Sequence, residues 1–391
     1  MTKPWIFALG LAFSLVLALP GAAAEAKIGY VGLKDDVRYH PVIAYTRIQI
    51  SPEKKPVEGA RLAIGDMKVV TDTIGLTLSL DEQMVTDIAS ATASVQAMAA
   101  AGERFALLDL PGDMVEQVAV ATKDLPITLI NTTAPDDRLR ALCLPNLMHT
   151  GASDRMVADA YVQFLRHSNW TKILMLVGQE PRDIALADAF QAAAKRFSLN
   201  IVDRRTFSMS TDANNRESNN PKLLTGRTDY DVIYIADTLG DYARRLPYRT
   251  QLARPLIGSE GLLAAEWHWS LDKDSATQVT LRFQRAAEGG REMSGQDWST
   301  WIAVKSIATA YAKARSEDPA AIDAFLKSSR FRVDGSKGYK LNFRAWDLQM
   351  RMPIPLTTHN APIDEAPFPE FLHQTNVLDT LGVDEPEHKC L

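Results

Sequence analysis

Four times between residues 27 and 131 a short apolar run alternates with a stretch of helical period, and then the series begins again. The runs "KIGYVG" (27–32), "LTLSL" (76–80), "FALLDL" (105–110) and "PITLIN" (126–131) have the length of buried strands. Between them, residues 57–75, 86–101 and 113–123 read as helices. In the first of these Ala60, Ile64, Met67 and Val70 recur at helical spacing, and Gly75 stands just past the end. Strands that alternate with helices in this way form a parallel sheet covered on both faces. The fold class is therefore α/β.

A second series follows residue 150. It comprises a helix at 153–167, strand 172–177, helix 183–197, strand 199–207, strand 231–237, helix 240–252 and strand 255–259. The polar stretch "SMSTDANNRESNNPKLLTGRTD" interrupts it as an exposed loop. Helices at 276–287, 296–315 and 319–329 and strands at 339–343 and 348–356 complete the pattern. Residues 357–391 are turn-rich and are expected as a C-terminal surface tail. No repeat of solenoid period is present.

Lys3 precedes an apolar run from Pro4 to Pro20, and small residues follow at Gly21-Ala22-Ala23-Ala24. This is the layout of a signal peptide over residues 1–24, cleaved after Ala24 or Ala26, and it predicts an exported, periplasmic chain. The apolar run falls short of the ~20 residues that a spanning helix needs. A formal charge of −5 without basic clusters excludes a nucleic-acid surface. The roughly 365 mature residues exceed one ordinary core, so two domains are expected. In an exported chain the two cysteines, Cys143 and Cys390, are more readily paired than free, and alone they are too few for a structural zinc site.

No G-x-S-x-G elbow, Walker A loop, G-x-G-x-x-G or H-E-x-x-H occurs, and the seven histidines lack metal-ligand spacing. The chain does not read as an enzyme, and no metal or cofactor is expected.

The segments "VEGARLAIGDM", "INTTAPDD", "NLMHTGASDRMVADAYVQFL" and "PLIGSEGL" follow one another as in type I periplasmic substrate-binding proteins of the branched-chain amino-acid group, which the chain resembles over nearly its whole mature length. Within that group "DDVRYHPVIAYTRI", "LLDLPGD" and the ending "HQTNVLDTLGVDEPEHKC" are similar to the substrate-binding component of ABC transporters encoded with pyrroloquinoline quinone (PQQ)-dependent alcohol dehydrogenase systems. The resemblance implies two Rossmann-like lobes joined by three crossings. Lobe 1 would hold residues 27–149 plus 274–329, and lobe 2 residues 150–273 plus 330–356. It also implies a monomer that binds a small molecule in the cleft, PQQ or a related carboxylate, and that meets an inner-membrane ABC permease. An amino-acid receptor is the alternative, as is a sensor or cofactor-delivery accessory of a PQQ-dependent dehydrogenase.

Open α/β sheets bind ligands beyond the carboxyl ends of their strands. Asn131, Thr132 and Thr133 end one strand there, and Gly112 follows another. Asp237, Thr238 and Glu260 end strands of the second series. By the resemblance, Glu260 holds a ligand ammonium. Arg38 and Tyr39, in the long connection after the first strand, together with Arg245 and Trp267, suit a flat polycarboxylate through stacking and bidentate hydrogen bonds.

Overall fold

The computed structural model describes residues 24–43, 49–50, 54–209 and 217–391. The expected signal peptide lies outside the described residues except for Ala24. None of the described helices is long and apolar enough to cross a membrane.

The first strand, β1 (Ala24–Leu33), leads through a short hairpin, β2 (Val42–Ile43) and β3 (Gln49–Ile50), to helix α1 (Val57–Thr73). There follow β4 (Leu76–Val85), α2 (Ile88–Ala100), β5 (Phe105–Asp109), α3 (Gly112–Ala121), β6 (Thr128–Asn131), α4 (Asp137–Arg140) and β7 (Leu147–His149). These strands form one parallel sheet in the order β4-β1-β5-β6-β7. Ile28 of β1 lies between Leu80 and Phe105 in register. All five residues of β5 are buried, as expected for a strand with helices on both faces.

The second lobe contains α5 (Asp154–His167), β8 (Lys172–Val177), α6 (Pro181–Arg196), β9 (Asn200–Thr206), α7 (Pro221–Leu224), β10 (Val232–Ala236) and β11 (Leu256–Gly258). Its parallel sheet runs β11-β10-β8-β9. After β12 (Leu263–Ala264) the chain returns to the first lobe as α8 (Ala276–Ala286), α9 (Gly295–Ala314) and α10 (Pro319–Leu326). Helix α9 starts at a capping box of Ser294 and Asp297 and buries Trp298, Trp301 and Ile302. It approaches α1 so closely that a Cβ at Gly59 would strike the Asp297 carbonyl. The guanidinium of Arg282 on α8 also pairs with Asp66 of α1, at 2.8 Å.

A small pair, β13 (Val333–Asp334) and β14 (Lys340–Leu341), precedes the last crossing. β15 (Ile354–Thr357) and β16 (Pro362–Ala366) then join β12 in an antiparallel sheet on the second lobe. The chain thus passes between the lobes three times. The first and third crossings are stitched together by the buried Arg140. It donates to the carbonyls of Ala134, Asp136 and Gly151 and to Gln349 Oε1, at 2.8–3.0 Å.

Two expectations change. Residues 240–252 form a single 3₁₀ turn, Ala243–Arg245, not a helix. Gly240 and Tyr248 on either side have φ of 69° and 64°, which α-helix cannot accommodate. The segment after residue 357 is not a surface tail. It contributes β16 and the buried side chains of Phe368, Leu378 and Leu381, and it is anchored by Arg344 Nε donating to Asp379 Oδ1 at 3.0 Å. Cys143 and Cys390 form a disulfide with Cα atoms 5.6 Å apart.

Candidate functional site between the lobes

At the carboxyl end of β5 stands Asp109, fully buried. Its Oδ2 accepts from the Tyr30 hydroxyl at 2.8 Å. Its Oδ1 accepts from the Tyr39 hydroxyl at 2.6 Å and from Arg38 Nη2 and Thr133 Oγ1, each at 3.1 Å. Arg38 is also clamped by buried Asp36, through Nε at 3.0 Å and Nη2 at 2.6 Å, and Nη1 donates to Thr133 Oγ1 at 3.0 Å. Tyr39 reaches onward to Gln296 at the start of α9, 2.9 Å away.

These contacts set the electrostatics. Burial opposes the charge of Arg38, but the hydrogen bond to Asp36 and the charge of Asp109 outweigh it and raise the guanidinium pKa. Burial, then Asp109, raises the Tyr39 hydroxyl far above its ordinary range, and Tyr30 behaves likewise. Both tyrosines are therefore neutral donors. The cluster holds two carboxylates and one guanidinium, with the Lys55 ammonium 5.7 Å from the centre of the Tyr39 ring.

The other predicted residues of the first lobe turn inward. Asn131 Oδ1 accepts from the backbone N–H of Ala134 at 2.9 Å. Its Nδ2 donates to the Ala134 carbonyl at 2.8 Å and lies 3.2 Å from His149 Nδ1. Thr132 Oγ1 donates to the Leu108 carbonyl. Both side chains shape the turn after β6 and are fully buried. Gly112 opens α3, and the Asp136 carboxylate occupies the place where its Cβ would be. A side chain at 112 would have to displace that carboxylate.

On the second lobe, Asp237 Oδ2 accepts from the N–H groups of Tyr242 and Ala243 at 2.9 and 2.8 Å. Burial pushes its pKa up, and these amides partly offset that. Thr238 donates through both N and Oγ1 to Asp183, each at 2.6 Å. Arg245 is paired with Asp241 at 2.7 Å. Trp267 is 1% exposed and stacks parallel to Trp298 with centroids 6.2 Å apart. It is a core residue and not an aromatic plate in the cleft.

Glu260 remains partly accessible. Its Oε1 accepts from Gly261 N at 3.1 Å and faces His359 Nε2 at 3.0 Å, while Oε2 has no partner among the described residues. Arg182 opens α6 and holds Asp154 of α5 through two 2.5 Å bonds. Burial opposes the charge of Arg182, but Asp154 and then Asp136 raise its pKa.

Asp36, which in sequence reads as half of a solvated acidic pair with Asp35, and Asp109 and Tyr30 are not among the expected ligand residues. The one available signal was Asp109 closing an otherwise apolar five-residue run. Among the described residues, Cys143, His388 and Cys390 are the one group of three with metal-type ligand atoms close together. The two sulfurs are joined as the disulfide, and His388 Nε2 lies 3.2 Å from Cys143 Sγ.

No family model and no curated protein matches the sequence. Solved structures do match in fold. A branched-chain amino-acid ABC transporter periplasmic ligand-binding protein of Burkholderia xenovorans is 11% identical, with 93% of this chain and 99% of that chain covered and a TM-score of 0.69. An ABC transporter substrate-binding protein of Desulfitobacterium hafniense in complex with Leu is 16% identical over 87% and 99%, with a TM-score of 0.62. A solute-binding protein of an ABC transporter from R. palustris in complex with benzoate is 12% identical over 87% and 95%, with a TM-score of 0.63. The chain has the type I periplasmic binding-protein fold.

Proposed function

We propose that this chain is an exported solute receptor of an ABC transporter, and that it takes a small ammonium-bearing solute of the amino-acid class between its lobes. One observation carries this reading. Both sheet edges at the cleft end in acidic groups, the Asp36–Arg38–Asp109 cluster on one lobe and Glu260 on the other. Such edges attract a cation more strongly than a polycarboxylate. The lobes would close because the solute binds the closed form more tightly, and a permease in the membrane would read the closed surface.

PQQ fits this geometry less well. Arg38 is shared between two carboxylates, Arg245 is bound to Asp241, and Trp267 is buried. A planar polycarboxylate would need guanidinium groups with charge to spare.

Calorimetric titration with leucine, isoleucine, benzoate and PQQ tests the reading. Heat with an amino acid, lost in Glu260→Gln, supports it. Heat with PQQ alone, unchanged in Glu260→Gln, contradicts it.

A further inference from the structure

Away from the sheet edges, a cavity of 340 Å³ lies where the second and third crossings meet. Residues 271–276, leading into α8, form one wall. Pro355 and residues 362–365 of the β15–β16 sheet form another, and Ser336 and Lys337 supply the floor. Both lobes therefore contribute to it.

The floor holds an unusual group. Lys337 is 4% exposed. Its Nζ donates to the Pro353 carbonyl at 3.1 Å and sits 4.0 Å above the Trp298 ring. Beyond that carbonyl and the ring face it has no hydrogen-bond acceptor among the described residues, and a buried ammonium in that state is costly. Burial drives its pKa down to about 7, with Glu365 and Glu266 opposing the shift. The wall and mouth have the opposite sign: half-buried Glu365 lies nearer the lysine, and exposed Asp272, Asp274 and Asp364 surround the opening, with Lys273 the only other cation lining the cavity. While Lys337 holds its proton, charge is thus ordered along the depth of the cavity, positive at the bottom and negative at the entrance.

We propose that this hinge cavity is a second solute site for a small zwitterion, which enters carboxylate first, meets Lys337 at the floor and leaves its ammonium among Glu365, Asp274 and Asp364. A simple anion would have to pass the acidic mouth, and a simple cation would meet Lys337, so neither matches both ends. The bound zwitterion completes the hydrogen bonding that the protein leaves open at Lys337.

The test titrates the full mature chain with linear amino acids from glycine to 6-aminohexanoate, with butyrate and butylamine as single-charge controls. The variants are Lys337→Met and Lys337→Arg for the hinge cavity and Glu260→Gln for the cleft. At least one zwitterion is expected to bind tenfold or more tightly than either control, with that binding lost in Lys337→Met, retained in Lys337→Arg and unaffected by Glu260→Gln. Binding that responds to Glu260→Gln alone, controls that bind as tightly as the zwitterions, or no binding by any probe would overturn the hinge site. Zwitterion binding that Lys337→Met abolishes, with no binding event of any probe that depends on Glu260, would instead overturn the proposed cleft function and leave the hinge site standing, so the two failures are distinguishable. The comparison of probes on the wild-type chain needs no variant to fold.

Discussion

The hydroxyl of Tyr39 lies 2.6 Å from Asp109 Oδ1, across 70 residues of sequence. This bond pins the connection after β1 onto the end of β5. It also makes Asp109 the common acceptor for Tyr30, Arg38, Tyr39 and Thr133.

Replacing Asp109 with Asn removes a charge on which Arg38 and two tyrosines depend. Arg38 retains Asp36, so the cost is that of hydrogen bonds and not of an orphaned cation. Urea unfolding should show a loss of about 1–3 kcal/mol for Asp109→Asn and about 1 kcal/mol for Tyr39→Phe.

Asn131 and Thr133 are two residues apart and should behave differently. Asn131→Ala breaks a turn whose amide bonds are internal, and it should lower stability by about 1–3 kcal/mol while leaving ligand affinity unchanged once the variant is folded. Thr133→Val should weaken ligand binding more than it lowers the melting temperature. Paired calorimetry and thermal melts of the two variants separate these effects.

Most of the framework could be read from pattern, because strands buried on both faces are apolar throughout and their helices carry one apolar stripe. Lys172–Val177 occupies the range its apolar run predicts. Residues 240–252 do not form a helix because Pro247 cannot donate an interior helical hydrogen bond and disfavours helical backbone before it, and Tyr248 after it takes a φ of 64°. The site was harder to read. Strand-end polar residues are spelled alike whatever they bond: Asn131 bonds within its own turn, whereas Thr133 Oγ1 joins Arg38 and Asp109, and only the three-dimensional partners separate the two. Asp36 looks like a solvated loop acid until Arg38 and Asp109 are seen around it. Trp267, beside two other aromatic residues, gives no sign in sequence that Trp298 buries it.

Lys337 gives the stability a pH dependence of definite sign. Its folded pKa of about 7 lies below the unfolded value of ~10.4. Below pH 7 both states hold the proton. Between about pH 7 and 10 the unfolded chain holds a proton that the folded chain has released, so stability rises with pH. Glu365, Glu266, Asp272, Asp274, Asp364 and Lys273 are the charged groups around it, and burial raises the Glu365 carboxyl above its ordinary value. Lys337→Met should flatten the rise between pH 7 and 10 in denaturant melts.

The disulfide closes a loop of 247 residues, for which chain entropy predicts a contribution of at most about 5 kcal/mol. The segment after residue 357 is also held by Arg344–Asp379 and by Leu391 N donating to the Ala141 carbonyl, so reduction should not unfold it. Cys390→Ser should lower the melting temperature and leave ligand affinity as it was.

Small-angle scattering during ligand titration tests the two-lobed receptor most directly. With leucine, isoleucine, benzoate and PQQ added in turn, an amino acid should shrink the radius of gyration of the wild-type chain, and Glu260→Gln should abolish the shrinkage. A particle of constant size with every solute, or one that contracts only with PQQ, would contradict the account.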